Sequence, residues 1–326
     1  MGGSPDPATG PTTLAGVELI DGVLARDTRA IARAISMVED GVEGLAELSA
    51  GVFPHTGRAA TVGLTGSPGV GKSTLGGALV RAVRERERSV AVLAIDPTSP
   101  FTGGALLGDR LRMQTHATDP GVFIRSMATR GHLGGIALAA PEAVRILDAA
   151  GYEVVIVETV GVGQAEVEVA AATDTTLVVV TPGWGDSVQV SKAGILEIAD
   201  VFVVNKADRD GADAAVRDLL QMIGMGPELD WTPPVVRTVA GTGEGVDELW
   251  GAVEDHGAYL EATGGLARDR RSRLVREVET LTAERLRDRV RALLGSDVAL
   301  ALDLVERRAD PYATAAILEE RVAARP

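Results

Sequence analysis

Residues 66–74 read GSPGVGKST, which fits the pattern G-x-x-x-x-G-K-[ST]. An apolar run, ATVGLTG from residue 60, precedes them, and a helical stretch, STLGGALVRAVRERE, follows. The pattern requires this strand, loop and helix setting. Ser67, Pro68, Gly69, Val70 and Gly71 let the backbone curl until consecutive N–H groups converge on phosphate oxygens, and the helix N-terminus adds its positive end. Lys72 brings a charge for β- and γ-phosphates, the Ser73 hydroxyl a ligand for Mg²⁺, and Thr74 continues the cradle into the helix. The bland alternative is a Gly-rich βα turn that happens to contain Lys-Ser. With every element of the setting present, the stretch predicts a nucleoside triphosphate site.

Further runs of the same kind lie downstream: SVAVLAID from 89, YEVVIVET from 152, TTLVVVTP from 175, VFVVNKAD from 201 and PPVVRTVA from 233. Near-continuous Val, Ile and Leu reads as strands covered on both faces. With helical stretches between them, they predict an α/β fold of the P-loop NTPase type, a doubly wound, mostly parallel sheet flanked by helices. Upstream, Leu19, Val23, Ile31, Ile35 and Val38 recur at a helical period over about 14–50, and Gly51, Pro54 and Gly57 then read as a linker. Beyond residue 267 the apolar strands stop. RDRRSRLVREVETLTAERLRDRVRALL is highly charged and sets Leu274, Val278, Leu281, Val290 and Leu293 at helical spacing. It reads as a surface helix or as one whose seam packs on another helix across a dimer. The expected organisation is a disordered leader (1–13), an N-terminal helical segment (14–57), a nucleotide-binding domain (58–265) and a C-terminal helical dimerisation arm (266–326).

The base is read from NKAD, Asn205 to Asp208. An aspartate there accepts hydrogen bonds from guanine N1–H and the exocyclic amine, whereas adenine faces it with a lone pair, and a site built for such a pair rejects the base that leaves it unmatched. Lys206 lays its stem along the base plane, and Asn205 ties the loop to the phosphate side. Four residues alone are a weak signal, but their place at a strand end downstream of a P-loop makes it strong. The following strand ends in TVAG, where Val239, Ala240 and Gly241 offer backbone groups and the Ala240 N–H can meet the guanine carbonyl.

Strand-end carboxylates beside a P-loop suit Mg²⁺, which takes oxygen ligands and keeps several waters. Asp96 ends the second run. Asp109 follows in a Gly-rich loop. Glu158 ends the third long run, where many GTPases carry aspartate, and Gly161 completes E-x-x-G, placing an N–H for a γ-phosphate. The competing reading of each carboxylate is a cap or a surface ion pair. Lys72, Asp109 and Glu158 form the expected catalytic set. Val162 follows the glycine where Ras-like GTPases carry glutamine, and the role of Gln164 stays open, so slow intrinsic hydrolysis is expected.

The net charge of −14 excludes a generic nucleic-acid binder. No apolar run reaches the ~18 residues that cross a bilayer, and the absence of cysteine is compatible with a cytoplasmic location. The order and length of GSPGVGKSTL, AIDPTSPFTGGALLGDRLRM, VETVGVGQAEVEVA, PGWGDSVQVSKAGILEIADVFVVNKAD and GEGVDELW resemble the MeaB/ArgK GTPases associated with methylmalonyl-CoA mutase. The resemblance covers nearly the whole chain. It implies GTP/GDP and Mg²⁺ as ligands, with Ser73, Asp96, Asp109 and Glu158 at the metal. It also implies homodimers through the C-terminal helices and a chaperone role for an adenosylcobalamin-dependent mutase: gating cofactor loading, protecting the enzyme and assisting its reactivation. By the same resemblance, the segment holding Gly183, Trp184, Gly185, Asp186, Gln189 and Lys192 relays nucleotide state to the mutase; by residues alone it also reads as an inert loop with Trp184 in a local core. TVAG departs from the Ser-Ala pair many GTPases carry, but the Ala240 donor survives the change. Two other roles compete. A nickel- or cobalt-delivery GTPase would want Cys or His clusters, yet there is no Cys and His55, His116, His132 and His256 are scattered. A kinase or ATPase energising basic amino-acid transport fits poorly with the guanine-reading motif.

Overall fold

The computed structural model describes residues 14–42, 44–97, 118–129, 136–159, 169, 171–184, 197–226 and 229–323. Among them stand seven strands of one wholly parallel sheet: β1 (Ala60–Thr65), β2 (Val90–Pro97), β3 (Val122–Thr129), β4 (Val154–Thr159), β5 (Thr175–Val180), β6 (Val201–Asn205) and β7 (Val235–Thr238), in the order β3-β2-β4-β1-β5-β6-β7. The helices are α1 (Leu14–Leu24), α2 (Thr28–Asp40), α3 (Leu45–Val52), α4 (Lys72–Glu85), α5 (Ile136–Ala149), α6 (Ala212–Met225), α7 (Val246–Ala262), α8 (Gly265–Ser296), α9 (Val298–Val305) and α10 (Pro311–Ala323). The chain divides into two compact units, Met1–Arg271 and Ser272–Pro326.

Strand alternation explains why the apolar runs are continuous. Ala91, Leu93, Ile95, Val155 and Val157 face one core with α2 and α5, while Val90, Val92, Val154, Ile156, Leu177, Val179, Val201 and Val203 face another with α4 and α7. Successive side chains point to opposite faces, so a strand buried on both needs an apolar residue at every position. Val178, Val180, Phe202 and Val204 continue the first face beneath α6, through Ala215 and Leu219.

The N-terminal helices complete that first face. Leu19, Val23, Ile31, Ile35 and Val38, the positions expected from periodicity, are all buried against α5 and the sheet. Asp27 caps α2 by accepting from Arg29 N and Ala30 N at 2.9 and 2.8 Å. Gly51 does not break the pattern as expected. It lies inside α3, where an added Cβ would meet Ile20 Cδ1 at 2.4 Å, so the glycine serves close helix packing. Strand β3 was absent from the expected set because Arg125 and Ser126 interrupt its apolar run. It is an edge strand, and Arg125 reaches out to Ser36 Oγ (2.8 Å) and Glu39 Oε2 (2.7 Å) on α2.

One buried histidine makes this unit sensitive to acid. His256 of α7 is 3% exposed; its Nδ1 lies 2.9 Å from Thr175 Oγ1 and its Nε2 3.4 Å from Asp200 Oδ1. That pairing fits the neutral tautomer protonated at Nε2, with the Thr175 hydroxyl donating to Nδ1. Burial pushes the pKa down to about 4, against the upward pull of Asp174 and Asp269. The unfolded chain binds this proton near the ordinary value and the folded chain does not. The stabilisation is therefore complete above about pH 6.5 and lost as pH falls through about 4, with a magnitude on the order of 3 kcal/mol. In urea titrations from pH 7 to 4, His256→Asn should show a shallower loss of stability than the parent; parallel slopes would refute the assignment.

Helix α8 is 32 residues long, and its buried residue is Gly265. Leu274, Val275, Val278 and Leu286 are exposed, Val278 by 62%. Asp297 caps α9 by accepting from Leu300 N at 3.0 Å and binds Arg321 of α10 at 2.6 Å. Among the described residues, no helix is long and apolar enough to cross a membrane.

Candidate functional site

In a doubly wound sheet, ligands bind outside the carboxyl ends of the strands where the strand order reverses. Here β1 lies between β4 and β5, and the chain passes to opposite sides of it. The loop leaving β1 is GSPGVGK, so the cradle stands at the reversal. Register places Leu64 of β1 beside Glu158 of β4, and Ala94 of β2 on the other side of Glu158. Asp96 follows two residues later at the same end of the sheet.

Gly66 and Gly71 are required by the space around them. A Cβ on Gly66, at φ +138°, would stand 2.2 Å from the Val179 carbonyl oxygen of β5. A Cβ on Gly71, at φ +99°, would meet Asn205 Nδ2 at 2.6 Å. Ser67, Pro68 and Gly69 form the exposed crest of the loop, Val70 is buried beneath it, and α4 starts at Lys72. The N–H groups of Lys72, Ser73 and Thr74 belong to the first helical turn, whose donors have no intrahelical partner. Such an end stabilises phosphate.

Lys72 is 7% exposed, and its Nζ donates to Gly66 O and, at 3.2 Å, to Ser67 O. The cation is thus folded into the loop whose amides would hold the phosphates. The Ser73 hydroxyl donates to Glu158 Oε1 at 2.6 Å, and Glu158 is 1% exposed. Hydroxyl and carboxylate oxygens side by side at the foot of the cradle are hard donors of the kind Mg²⁺ selects. The residues present therefore fit that ion. Among the described residues, no group of three or more His, Cys, Asp or Glu gathers as a metal cluster. Asp96 is placed here by its backbone alone, and Asp109 and Gly161 lie outside the described residues.

The base loop is tied to the cradle by its own side chains. Asn205, buried at the end of β6, donates to Val70 O at 2.8 Å, while its Oδ1 accepts from Thr238 Oγ1 (3.2 Å) and Ala240 N (3.1 Å). Lys206, at φ +57°, donates through Nζ to Gly69 O at 2.6 Å. Asp208 is exposed on the turn between Lys206 and α6. The Ala240 N–H, expected to face a guanine carbonyl, here points to Asn205. Val239 bridges to Glu244, and Gly241 lies in the turn that follows. Thr238 escaped the sequence reading; its only signal was its place two residues before Ala240 in TVAG.

Gly183 and Trp184 form the turn after β5, with Trp184 N donating to Thr181 O at 3.2 Å. Trp184 is half-buried, its ring packed against the core beneath α6. Gly185, Asp186, Gln189 and Lys192 lie outside the described residues.

A P-loop at the reversal of a parallel sheet, joined to an N-K-x-D loop built for guanine, defines a P-loop GTPase. The family model for the methylmalonyl-CoA mutase-associated GTPase MeaB matches residues 31–294, and the chain belongs to that family. It is 47% identical to a putative GTPase of Pyrococcus horikoshii over 94% of this chain and 98% of that one. With the GTPase ArgK of Escherichia coli it shares 39% identity over 72% of each chain. The mitochondrial methylmalonic aciduria type A homolog of mouse is 37% identical over 65% of this chain and 52% of its own. The crystal structure of an LAO/AO transport system kinase superposes with a TM-score of 0.71 at 27% identity, covering 97% of this chain and all of that one.

Proposed function

We propose that this GTPase is a Mg²⁺-dependent chaperone of an adenosylcobalamin-dependent mutase of the methylmalonyl-CoA type, gating its cofactor loading, protection and reactivation. The description of its family as mutase-associated carries the reading, and the name of the mouse relative agrees with it. In this reading Ser73 and Glu158, joined by Asp96 and Asp109, hold the metal, which when bound neutralises charge on the β- and γ-phosphate oxygens. The N–H groups from Ser67 to Thr74 bind the phosphates, and Lys72 exchanges its carbonyl acceptors for phosphate oxygens. Water adds to the γ-phosphorus as its bond to the GDP oxygen breaks, and the developing charge falls on these donors. Slow intrinsic hydrolysis follows from Val162 standing where Ras-like GTPases place glutamine, so the partner completes the site.

The relay to the mutase is assigned to the segment from Gly183 to Lys192. The exposed apolar residues of α8 serve a homodimer of cytoplasmic protein, with the leader, helical segment, GTPase domain and arm divided near residues 13, 57 and 265. Purified protein should hydrolyse GTP but not ATP, lose that activity on chelation of Mg²⁺, and speed up by ~10-fold or more with the mutase. Unchanged turnover with the mutase present, together with no complex by size-exclusion chromatography, would rule the reading out.

The match to an LAO/AO transport system kinase favours a second reading, an ATPase or kinase serving basic amino-acid transport. Phosphate transfer from ATP to a binding protein would support it, and GTP selectivity opposes it.

A further inference from the structure

At the end of the sheet opposite the nucleotide, one guanidinium joins two distant stretches of the first unit to the start of α8. Arg270, near the start of α8, donates through Nε to Asp174 Oδ1 (3.0 Å) and through Nη2 to Asp174 Oδ2 (2.6 Å). The same group reaches the linker before β1, with Nη1 on Gly57 O (2.6 Å) and Nη2 on Ala59 O (2.7 Å). The N–H groups of that linker go elsewhere. Gly57, Arg58 and Ala59 donate to the Asp148 carboxylate of α5 at 2.5, 3.2 and 2.9 Å. Asp174 in turn accepts from Thr61 N of β1 (3.2 Å), and its own N–H donates to Thr61 Oγ1 (2.8 Å). The linker is thus held by its three donors from α5 and by two of its carbonyls from α8.

The electrostatics support a built joint rather than a surface pair. The Asp174 side chain is 7% exposed and that of Arg270 26%, and Asp148 is also buried. Burial works against the arginine's charge, but the hydrogen bonds and charge of Asp174, followed by Asp148 and Glu261, hold its pKa above the ordinary value. A planar fork spans a carboxylate and two carbonyls at once, which the single ammonium of lysine cannot do. Removing the fork leaves buried carboxylates without their cation, and this costs far more than an exposed pair is worth.

We propose that Arg270 is a coupling residue that joins the exit of the N-terminal helices to the root of the long C-terminal helix, so that the two segments open together. A load on α8 then reaches the linker directly, without passing through the nucleotide site. The Arg270–Asp174 pair stands at the amino ends of β1 and β5, away from the P-loop, so nucleotide binding serves as an internal control.

Hydrogen exchange on the full chain tests this. Arg270→Lys should lower amide protection by ~10-fold or more in both 57–61 and 268–271, with α4 unchanged and GDP affinity within about threefold of the parent. Asp148→Asn is the second arm, because its carboxylate hydrogen-bonds the linker and acts on α8 only through its charge on Arg270. Coupling requires it to deprotect 268–271 as well. If Arg270→Lys fails to fold, Asp148→Asn decides by the same two segments. Loosening of one segment without the other, or of neither, overturns the proposal.

Discussion

Lys72→Ala should reduce single-turnover GTP hydrolysis by about 10²–10³-fold, on the scale of removing one preorganised donor from a developing negative charge. The cause lies in where the cation is kept. Lys72 is buried at the first residue of α4, and its Nζ rests on the carbonyls of Gly66 and Ser67. Held on carbonyls of the same loop, it has only to exchange those acceptors for phosphate oxygens, so the charge is close at hand when the transition state forms. Alanine leaves the loop amides in place, and GDP should still bind, weakened by about tenfold through the lost charge-assisted hydrogen bond. Arginine should not rescue hydrolysis, since its fork is too broad for the gap that accepts a single ammonium. Circular dichroism and a fluorescent-GDP titration separate a folded, inactive variant from an unfolded one. Hydrolysis by folded Lys72→Ala within a factor of about ten of the parent would remove Lys72 from the chemistry.

What the sequence could say about this site depended on how local each determinant is. The cradle was legible because loop, strand and helix are contiguous, although the crowding that requires Gly66 and Gly71 comes from Val179 and Asn205. Strands buried on both faces announced themselves as unbroken Val and Ile. β3 did not, since an edge strand can carry Arg125 and spend it on α2. Gly51 was misjudged for a related reason. A glycine that breaks a helix and one that lets Ile20 approach look alike until the partner helix is known. Thr238 and Trp184 are also tertiary facts, fixed by Asn205 and by the core beneath α6. The C-terminal charge pattern gave a helix correctly, but Arg270 read as one more surface charge in RDRRSR. Its four acceptors come from two separate stretches of chain, 57–59 and Asp174, and no periodicity encodes them.

The base loop should show the second large effect, as a change of preference. Asp208→Asn is expected to weaken GTP binding by about 10²–10⁴-fold and to make XTP the better ligand. A carboxylate offers two acceptors to guanine N1–H and its amine. Asparagine offers one acceptor and one donor, so the donor faces the amine and a hydrogen bond becomes a conflict. Xanthine replaces that amine with a carbonyl, which accepts from the asparagine while N1–H still donates. Asp208 is exposed on its turn, so the substitution disturbs no core. The turn itself is held from below, with Asn205 bonded to Val70 O, Thr238 and Ala240, and Lys206 bonded to Gly69 O. Those bonds separate two causes of weak GTP binding in a competition assay with GTP, XTP, ATP and inorganic tripolyphosphate. Loss of base reading alone leaves the tripolyphosphate constant unchanged, because the cradle keeps its supports. A fall in tripolyphosphate affinity parallel to that for GTP would mean the loop had collapsed, and XTP binding no better than GTP would remove Asp208 from guanine recognition.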